Sequence, residues 1–360
     1  MVEDPFFGDQ PYNLRASAKA ELLLSALNSL MAHHRRACIP FQRLLQALPN
    51  VPVTAGSLAE LPMLPVQLFK LQTLSSVPQH QIYRQLTSSG TTGQRPSRIF
   101  LDRETAALQT RALVMIVKSY LGPHRLPMII VDARDTIQNR SEFSARALGI
   151  LGFSNFGRDH FYLLDEGMRV NWDGLGRFLE KHRGQKIFVF GFTFILWRYF
   201  YKAVLDEGHV LDLGESVLIH GGGWKKLHDQ QVDNLTFNQL FRRHLGIRQI
   251  HNYYGMVEQV GSIYMECEKG YLHAPNYADI LVRNPVTLSV VPHGERGLIQ
   301  TFSTLPQSYP GNSLLTEDVG VVISEDDCPC GRYGKYFVIE GRLPAAELRG
   351  CSDTFVTNDG

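Results

Sequence analysis

The sequence predicts an α/β protein built around a layered sheet, and three observations carry that expectation. Between Arg103 and Leu245, short apolar runs alternate with helical patterns, the texture of strands and helices taken in turn. Ahead of that alternation lies a stretch rich in hydroxyls and glycine, Thr87–Arg98, read T-S-S-G-T-T-G-Q-R-P-S-R. After Asp279 the helical patterns thin out and strand-like runs take over.

The elements follow in order. Leu14, Ala18, Leu22, Ala26 and Leu30 recur at helical spacing, widened by Leu23 and Leu27, and predict a helix over Leu14–His33. A second helix, Phe41–Leu48, stops at Pro49. Leu61–Lys70 is apolar but broken by Pro62 and Pro65, so an extended or turn segment is expected there. Residues 1–83 then form a mostly helical N-terminal subdomain. A strand-like Ile99–Leu101 follows the glycine stretch, and Asp102 is a good N-cap for a helix over Arg103–Tyr120.

The core continues with strand Met128–Val131 and helices Phe143–Leu151 and Trp172–His182. Next come strand Ile187–Phe190, helix Phe194–Glu207, strand Val217–Ile219 and helix Gln230–Leu245. Strands are predicted at Ile280–Val282, Leu298–Phe302, Val319–Ser324 and Tyr336–Ile339, as a smaller β-rich region packed on the main sheet. The expected division is a core over 84–340, β-rich from about residue 279, and a short tail over 341–360.

Composition excludes several classes. The chain has 360 residues, 44% hydrophobic and 20% charged, which suits a globular protein with a sizeable core. A net charge of +1 gives no footprint for nucleic acid. No apolar run approaches the ~18 residues of a membrane span. Met1–Tyr12 carries acids and prolines rather than an export signal, so a cytoplasmic location is expected. Five cysteines, few and odd in number, read as thiols or metal ligands rather than a disulfide framework.

Five hydroxyls fall within the six positions Thr87–Thr92, around Gly90 and Gly93. Glycine lets backbone N–H groups turn toward one point, and hydroxyls add donors, which suits a polyphosphate. No Gly-Lys-Ser/Thr follows, so this is not the P-loop of NTPases. The competing reading is a flexible linker. Gly221, Gly222 and Gly223 follow a strand directly, where a flat ligand can lie against backbone or where the chain simply turns.

Asn252-Tyr253-Tyr254-Gly255-Met256-Val257-Glu258 sets aromatics ahead of a carboxylate, able to stack a base and ligate Mg²⁺. A core tyrosine and a surface glutamate are the plainer alternative. Thr316-Glu317-Asp318-Val319-Gly320 places an acid before a strand, as a ribose-diol acceptor would be placed, and Gly341-Arg342 closes the last one. Cys328-Pro329-Cys330 is a tight pair on a turn, and Cys267 and His273 lie upstream, six apart. Three thiolates and an imidazole suit a structural Zn²⁺ site, against two buried cysteines and an unrelated histidine. Cys38 reads as a core residue.

Thr87–Arg98, Tyr254–Glu258, Gly294–Leu298, Thr316–Gly320 and Gly341-Arg342 resemble the ordered motifs of the adenylate-forming enzymes. Within that superfamily the chain is most similar to the acyl-protein synthetases of the bacterial bioluminescence fatty-acid reductase complex. Pro62–Lys70, Phe188–Phe194, Gly221–Lys226, Tyr253–Gly261 and Arg349-Gly350-Cys351 carry that likeness. The resemblance implies an acyl-CoA synthetase-like large domain with a truncated C-terminal lid. It implies activation of a carboxylic acid, a long-chain fatty acid for this family, by ATP and Mg²⁺ to acyl-AMP. Transfer to a cysteine of the protein follows, for delivery to an acyl reductase or other acyl-accepting protein.

By matched positions, Ser88, Ser89, Gly90, Thr91, Thr92 and Gly93 would hold phosphates. Gly221, Gly222, Gly223, Asn252, Tyr253, Tyr254 and Gly255 would hold adenine. Glu258 would hold Mg²⁺, Asp318 and Arg342 the ribose and phosphate, and Cys351 the acyl group. The chain departs from the superfamily in two ways. The lid's lysine has no counterpart, with Lys225 or Lys226 as a partial replacement, and Arg98 or its neighbours stand where a lysine closes the glycine loop. The alternatives are a CoA ligase of the phenylacetate type and a non-catalytic nucleotide-binding subunit.

Overall fold

The computed structural model describes residues 4–8, 10–49, 51–88, 96–137, 145–224 and 230–343. Its strands in chain order are β1 (Leu64–Pro65), β2 (Arg84–Thr87), β3 (Arg98–Leu101), β4 (Leu126–Ala133), β5 (Gly157–Leu164), β6 (Phe188–Phe192) and β7 (Val217–Gly221). They continue as β8 (Gln249–Tyr254), β9 (Tyr264–Glu266), β10 (Leu272–His273), β11 (Ala278–Arg283), β12 (Arg296–Ser303), β13 (Ser313–Glu325) and β14 (Lys335–Arg342). One large sheet runs β11-β12-β13-β14-β10-β9-β8-β7-β6-β4-β5, with β1 added to β13 and β2-β3 standing apart as a hairpin.

The strands β5, β4, β6, β7 and β8 are parallel, and β4, β6 and β7 are buried along most of their length. Side chains alternate between two cores as the pleat requires. Met128, Ile130, Phe188, Phe190, Val217 and Ile219 join one core. Ile129, Val131, Val189 and Leu218 join the other. The first core is closed by helices α1 (Ala16–Ala37), α2 (Ile39–Ala47), α4 (Arg103–Leu121) and α5 (Ala145–Ser154), with α3 (Leu68–Leu71) as a single turn between them. The second is closed by α6 (Trp172–Lys181), α7 (Thr193–Ile195), α8 (Lys202–Asp206) and α9 (Asn234–Leu245). Sequential strands β4 and β5 are neighbours, but the next, β6, lies on the other side of β4. That reversal opens a crevice at the carboxyl ends of β4 and β6, where layered α/β proteins bind ligands.

Helix starts follow the capping chemistry. Asp102 accepts from the Thr105 N–H at 2.8 Å, Asn171 from Gly174 at 2.9 Å, and Asp233 from Thr236 at 2.7 Å. The last helix therefore begins at Asn234, four residues later than expected. The predicted helix over Phe194–Glu207 is one run, but its middle, Leu196–Tyr201, is π-helical.

Three expectations are corrected. The strands after Asp279 do not lie on the main sheet: they continue it, through β14, β10 and β9 to β8. The motif Thr316–Gly320 sits inside the thirteen-residue β13, not ahead of a strand. In α1 the buried stripe is Lys19, Leu23, Leu27, Met31 and His34, one position round from the expected one. Two polar members set it. Lys19 Nζ donates to the Ala274 carbonyl at 2.9 Å, and His34 bonds Ser76 Oγ at 2.7 Å and the Pro306 carbonyl at 3.1 Å. Within Leu61–Lys70, expected to be extended or turn, Leu64–Pro65 is extended as β1, which pairs in parallel with β13, and residues from Leu68 wind instead into the single turn α3. Cys38 is buried in the first core.

Candidate active site at the carboxyl edge of the sheet

Parallel pairing brings two of the sequence motifs side by side. Gly221 of β7 is registered against Tyr253 of β8, and His220 against Asn252. A Cβ on Gly221 would lie 2.4 Å from the Tyr253 ring, so only glycine lets that ring sit there. Here Gly221 serves close packing rather than an open ligand face. Gly222 has φ +79°, a conformation that side chains resist, and it turns the chain out of the sheet.

Tyr254 reaches across to the other half of the sheet. Its hydroxyl donates to Asp318 Oδ2 at 2.7 Å, and Arg342 Nε donates to Asp318 Oδ1 at 3.0 Å. Burial first, and the Asp318 charge second, push the Tyr254 phenol far above its ordinary pKa. Tyr254 therefore stays a hydrogen-bond donor across the physiological range. Each Asp318 oxygen keeps a second lone pair for another donor, such as a diol. Gln67, carried in by β1, bonds the neighbouring Glu317, and the Leu343 N–H donates to the Glu317 carbonyl at 2.9 Å. Gln67 had no signal in the sequence: only the pairing of β1 with β13 puts it there.

The turn Val257–Gln259 follows and buries Glu258. It packs against β3 of the β2–β3 hairpin, whose two strands the glycine stretch joins in the sequence. Thr87 and Arg98 form the last pair of that hairpin, and Ser88 Oγ accepts from the Ser97 N–H at 2.8 Å. Arg98 donates to Thr73 Oγ1 at 3.0 Å. Ser89, Gly90, Thr91, Thr92 and Gly93 lie outside the described residues, as do Lys225, Lys226, Arg349, Gly350 and Cys351.

Of the four phenylalanines on and after β6, Phe188 and Phe190 are core packing, Phe190 stacked on Phe153 at 4.4 Å. Phe192 differs. It ends β6 at the crevice, half-buried, its ring filling the space over Gly149 of α5 and Gly222. A Cβ on Gly149 would approach that ring to 2.8 Å.

A second cluster forms behind β8. The ligand atoms of Cys267, His273, Cys328 and Cys330 all lie within 4.8 Å of one another. Cys330 Sγ is 3.3 Å from His273 Nε2. The N–H groups of Lys269 and Arg332 point at the sulfurs of Cys267 and Cys330, at 3.4 and 3.5 Å. Tetrahedral zinc with bonds of about 2.3 Å needs ligand separations of about 3.7 Å, so small adjustments close this set on an ion. Backbone donors on thiolates, and Arg332 ion-paired to Glu268 at 2.9 Å beside Cys330, suit the net negative charge of three thiolates and Zn²⁺. Arg332 escaped the sequence reading, though its place two residues after Cys330 was the signal.

The fold is that of adenylate-forming acyl-CoA ligases. An open form of 2-hydroxyisobutyryl-CoA ligase, in complex with 2-HIB-AMP and CoA, matches with a TM-score of 0.72 over 96% of this chain and 80% of that one, at 16% identity. Its postadenylation form matches at 0.70, over 95% and 71%, at 15% identity. At such identity the likeness concerns the fold alone.

Residues 1–358 match the family described as Acyl-protein synthetase, LuxE, and the chain belongs to that family, which makes it a ligase. Two relatives carry the name long-chain-fatty-acid–luciferin-component ligase. The one from Vibrio harveyi is 23% identical over 98% of this chain and 92% of its own length. The one from Aliivibrio fischeri is 26% identical over 81% and 77%. Among the described residues no helix is long and apolar enough to cross a membrane.

Proposed function

We propose that this ligase activates a long-chain fatty acid with ATP and transfers the acyl group to its own Cys351. The carboxylate oxygen attacks the α-phosphorus, the bond to the β-phosphate bridging oxygen breaks, and pyrophosphate leaves. The Cys351 thiolate then attacks the acyl carbon, the bond to AMP breaks, and a thioester remains for an acyl reductase or other accepting protein. The observation that carries this reading is the convergence on Asp318. Tyr254 and Arg342, from strands far apart in sequence, both donate to its carboxylate.

In this reading Asp318 accepts the ribose hydroxyls and Arg342 faces the phosphates. The Ser88–Gly93 stretch holds the β- and γ-phosphates. Gly222, Gly223, Asn252, Tyr253, Tyr254 and Gly255 border the adenine. Glu258 would hold Mg²⁺, which offsets the charge on the departing pyrophosphate. Such chemistry needs preorganised donors more than a general acid or base. The Cys267–His273–Cys328–Cys330 cluster would hold a structural Zn²⁺ apart from the reacting atoms.

The test is pyrophosphate exchange into ATP with fatty acids, followed by labelling with radioactive acid. Wild-type protein should exchange and carry hydroxylamine-labile label, and Cys351→Ser should exchange without label. Wild-type label in Cys351→Ser would place the acceptor elsewhere. Exchange without any label, together with a CoA-dependent thioester, would establish a CoA ligase instead. Absence of exchange would leave a nucleotide-binding subunit.

A further inference from the structure

We propose that Glu266 is a positioning residue of the nucleotide site, and that metal at the Cys/His cluster holds Glu266 in place. The inference rests on the adenylation reading above and adds a residue that touches neither nucleotide nor metal.

Glu266 is among the most buried acids of the chain, 2% exposed. Its Oε2 accepts from the backbone N–H of Asn252 at 2.9 Å. Its Oε1 accepts from Asn234 Nδ2 at 2.6 Å and Asn238 Nδ2 at 3.4 Å. All three direct donors are neutral amides. A carboxylate buried on such terms is costly unless its oxygens stay paired, so the three donors are held in one arrangement.

The location gives that arrangement a use. Strands β8 and β9 pair through Tyr253 with Met265 and Tyr254 with Tyr264. One step further back the ladder stops, and the Glu266 carboxylate takes the place of the backbone acceptor that Asn252 would have met. The Glu266 carbonyl in turn meets His251 Nδ1 at 3.0 Å. One residue thereby sets the height and pitch of Asn252, Tyr253 and Tyr254, the strand end that borders the nucleotide. Asn234 and Asn238 tie the same carboxylate to α9, the helix between β7 and β8.

Glu266 is also the last residue of β9, directly before Cys267. The turn that follows is fastened by the Cys267 N–H to the Tyr271 carbonyl at 2.8 Å, and it returns through His273 in β10. Two of the four cluster residues thus flank the turn that carries Glu266. The other two, Cys328 and Cys330, lie on the β13–β14 connection, and β14 pairs with β10. Binding an ion across these two connections fixes the β9–β10 turn, and with it Glu266, against β8. Loss of the ion releases the turn from β13–β14 while leaving the ladder intact.

Glutamine keeps the shape of Glu266 but exchanges one acceptor for a donor. It then faces a donor with a donor, either at Asn252 or at Asn234. The experiment uses the full chain with its metal, and measures pyrophosphate exchange alongside calorimetric binding of ATP. Glu266→Gln should raise both KM and Kd for ATP about tenfold, keep kcat and the KM for fatty acid within about twofold, and retain the metal. Asn234→Ala, a milder change from the α9 side, should move Kd for ATP the same way by about threefold. Chelation or Cys328→Ser should also weaken ATP binding, and adding Glu266→Gln to Cys328→Ser should weaken it little more.

Unchanged ATP binding in Glu266→Gln overturns the proposal. So does an equal loss of every parameter together with melting temperature in both variants, which would mark Glu266 as packing only. ATP binding insensitive to metal removal overturns the second half. Wild-type protein that binds ATP without exchange would sink the adenylation reading, while the calorimetric comparison still decides the role of Glu266.

Discussion

Tyr254 and Asp318 lie 64 residues apart in sequence, and the Tyr254 hydroxyl sits 2.7 Å from Asp318 Oδ2. That bond ties the parallel half of the sheet, through β8, to the antiparallel half, through β13. Its removal tests whether the carboxylate must be aimed. Tyr254→Phe should raise KM for ATP about tenfold with the fold intact, since a hydrogen bond to a charged group is worth about 1.5–3 kcal/mol. Asp318→Asn should cost more, because Arg342 then faces a neutral amide. Equal KM values in wild type and Tyr254→Phe would show that Asp318 needs no second anchor.

Glu258 is buried in the turn beside Tyr309. Burial, and then that carboxylate, push the Tyr309 phenol well up. Glu258→Gln should lower pyrophosphate exchange at least about a hundredfold at fixed Mg²⁺, with an unchanged circular dichroism spectrum. Near-wild-type exchange would remove Glu258 from the site.

The metal cluster is open to direct analysis. Protein purified without added metal should contain one zinc per chain, and Cys328→Ser should lose most of it along with several degrees of melting temperature. Full folding with no bound metal would leave the four residues as ordinary packing.

Buried histidines make the fold acid-sensitive, His34, His220 and His251 among them. Burial lowers His34 and His220 from 6.5 to about 3, and His251 to about 4. The unfolded chain takes up these protons near pH 6.5, while the folded chain resists until far lower pH. Their contribution is therefore complete above about pH 6.5 and is lost progressively as pH falls to about 4 for His251 and about 3 for His34 and His220. The urea midpoint should drop between pH 7 and pH 5, by up to about 2 kcal/mol of stability per histidine. His34→Gln should flatten that slope, and an identical slope would exclude His34 as a contributor.

Phe192 offers a test of acyl selection. Its ring closes the crevice between Gly149 and Gly222. Phe192→Ala should shift the optimum of pyrophosphate exchange toward longer or bulkier acids, with kcat/KM changing about tenfold between chain lengths. A chain-length profile that only scales down uniformly would assign the ring to packing.

The sequence by itself determined what depends on local chemistry. Asp102 could be recognised as the cap of α4, and the apolar runs of β4, β6 and β7 as buried strands, because both patterns follow from neighbours in the chain. The ordered motifs around Tyr254, Asp318 and Arg342 were legible for the same reason. The cluster of Cys267, His273, Cys328 and Cys330 was also read as a set, since each half carries its own spacing.

The tertiary structure decided what depends on pairing between distant segments. Strands β5 and β8 were missed because they are polar. Gly157–Leu164 is an edge strand, and Gln249–Tyr254 spends polar side chains on bonds that no hydropathy pattern records. Only the parallel register of β7 with β8 shows why residue 221 must be glycine, the Tyr253 ring occupying the place of a Cβ. Only the pairing of β1 with β13 brings Gln67 to Glu317, and only the end of the β8–β9 ladder gives Glu266 its task. Each is a contact between surfaces that come together after folding, and composition along one strand says nothing about its partner.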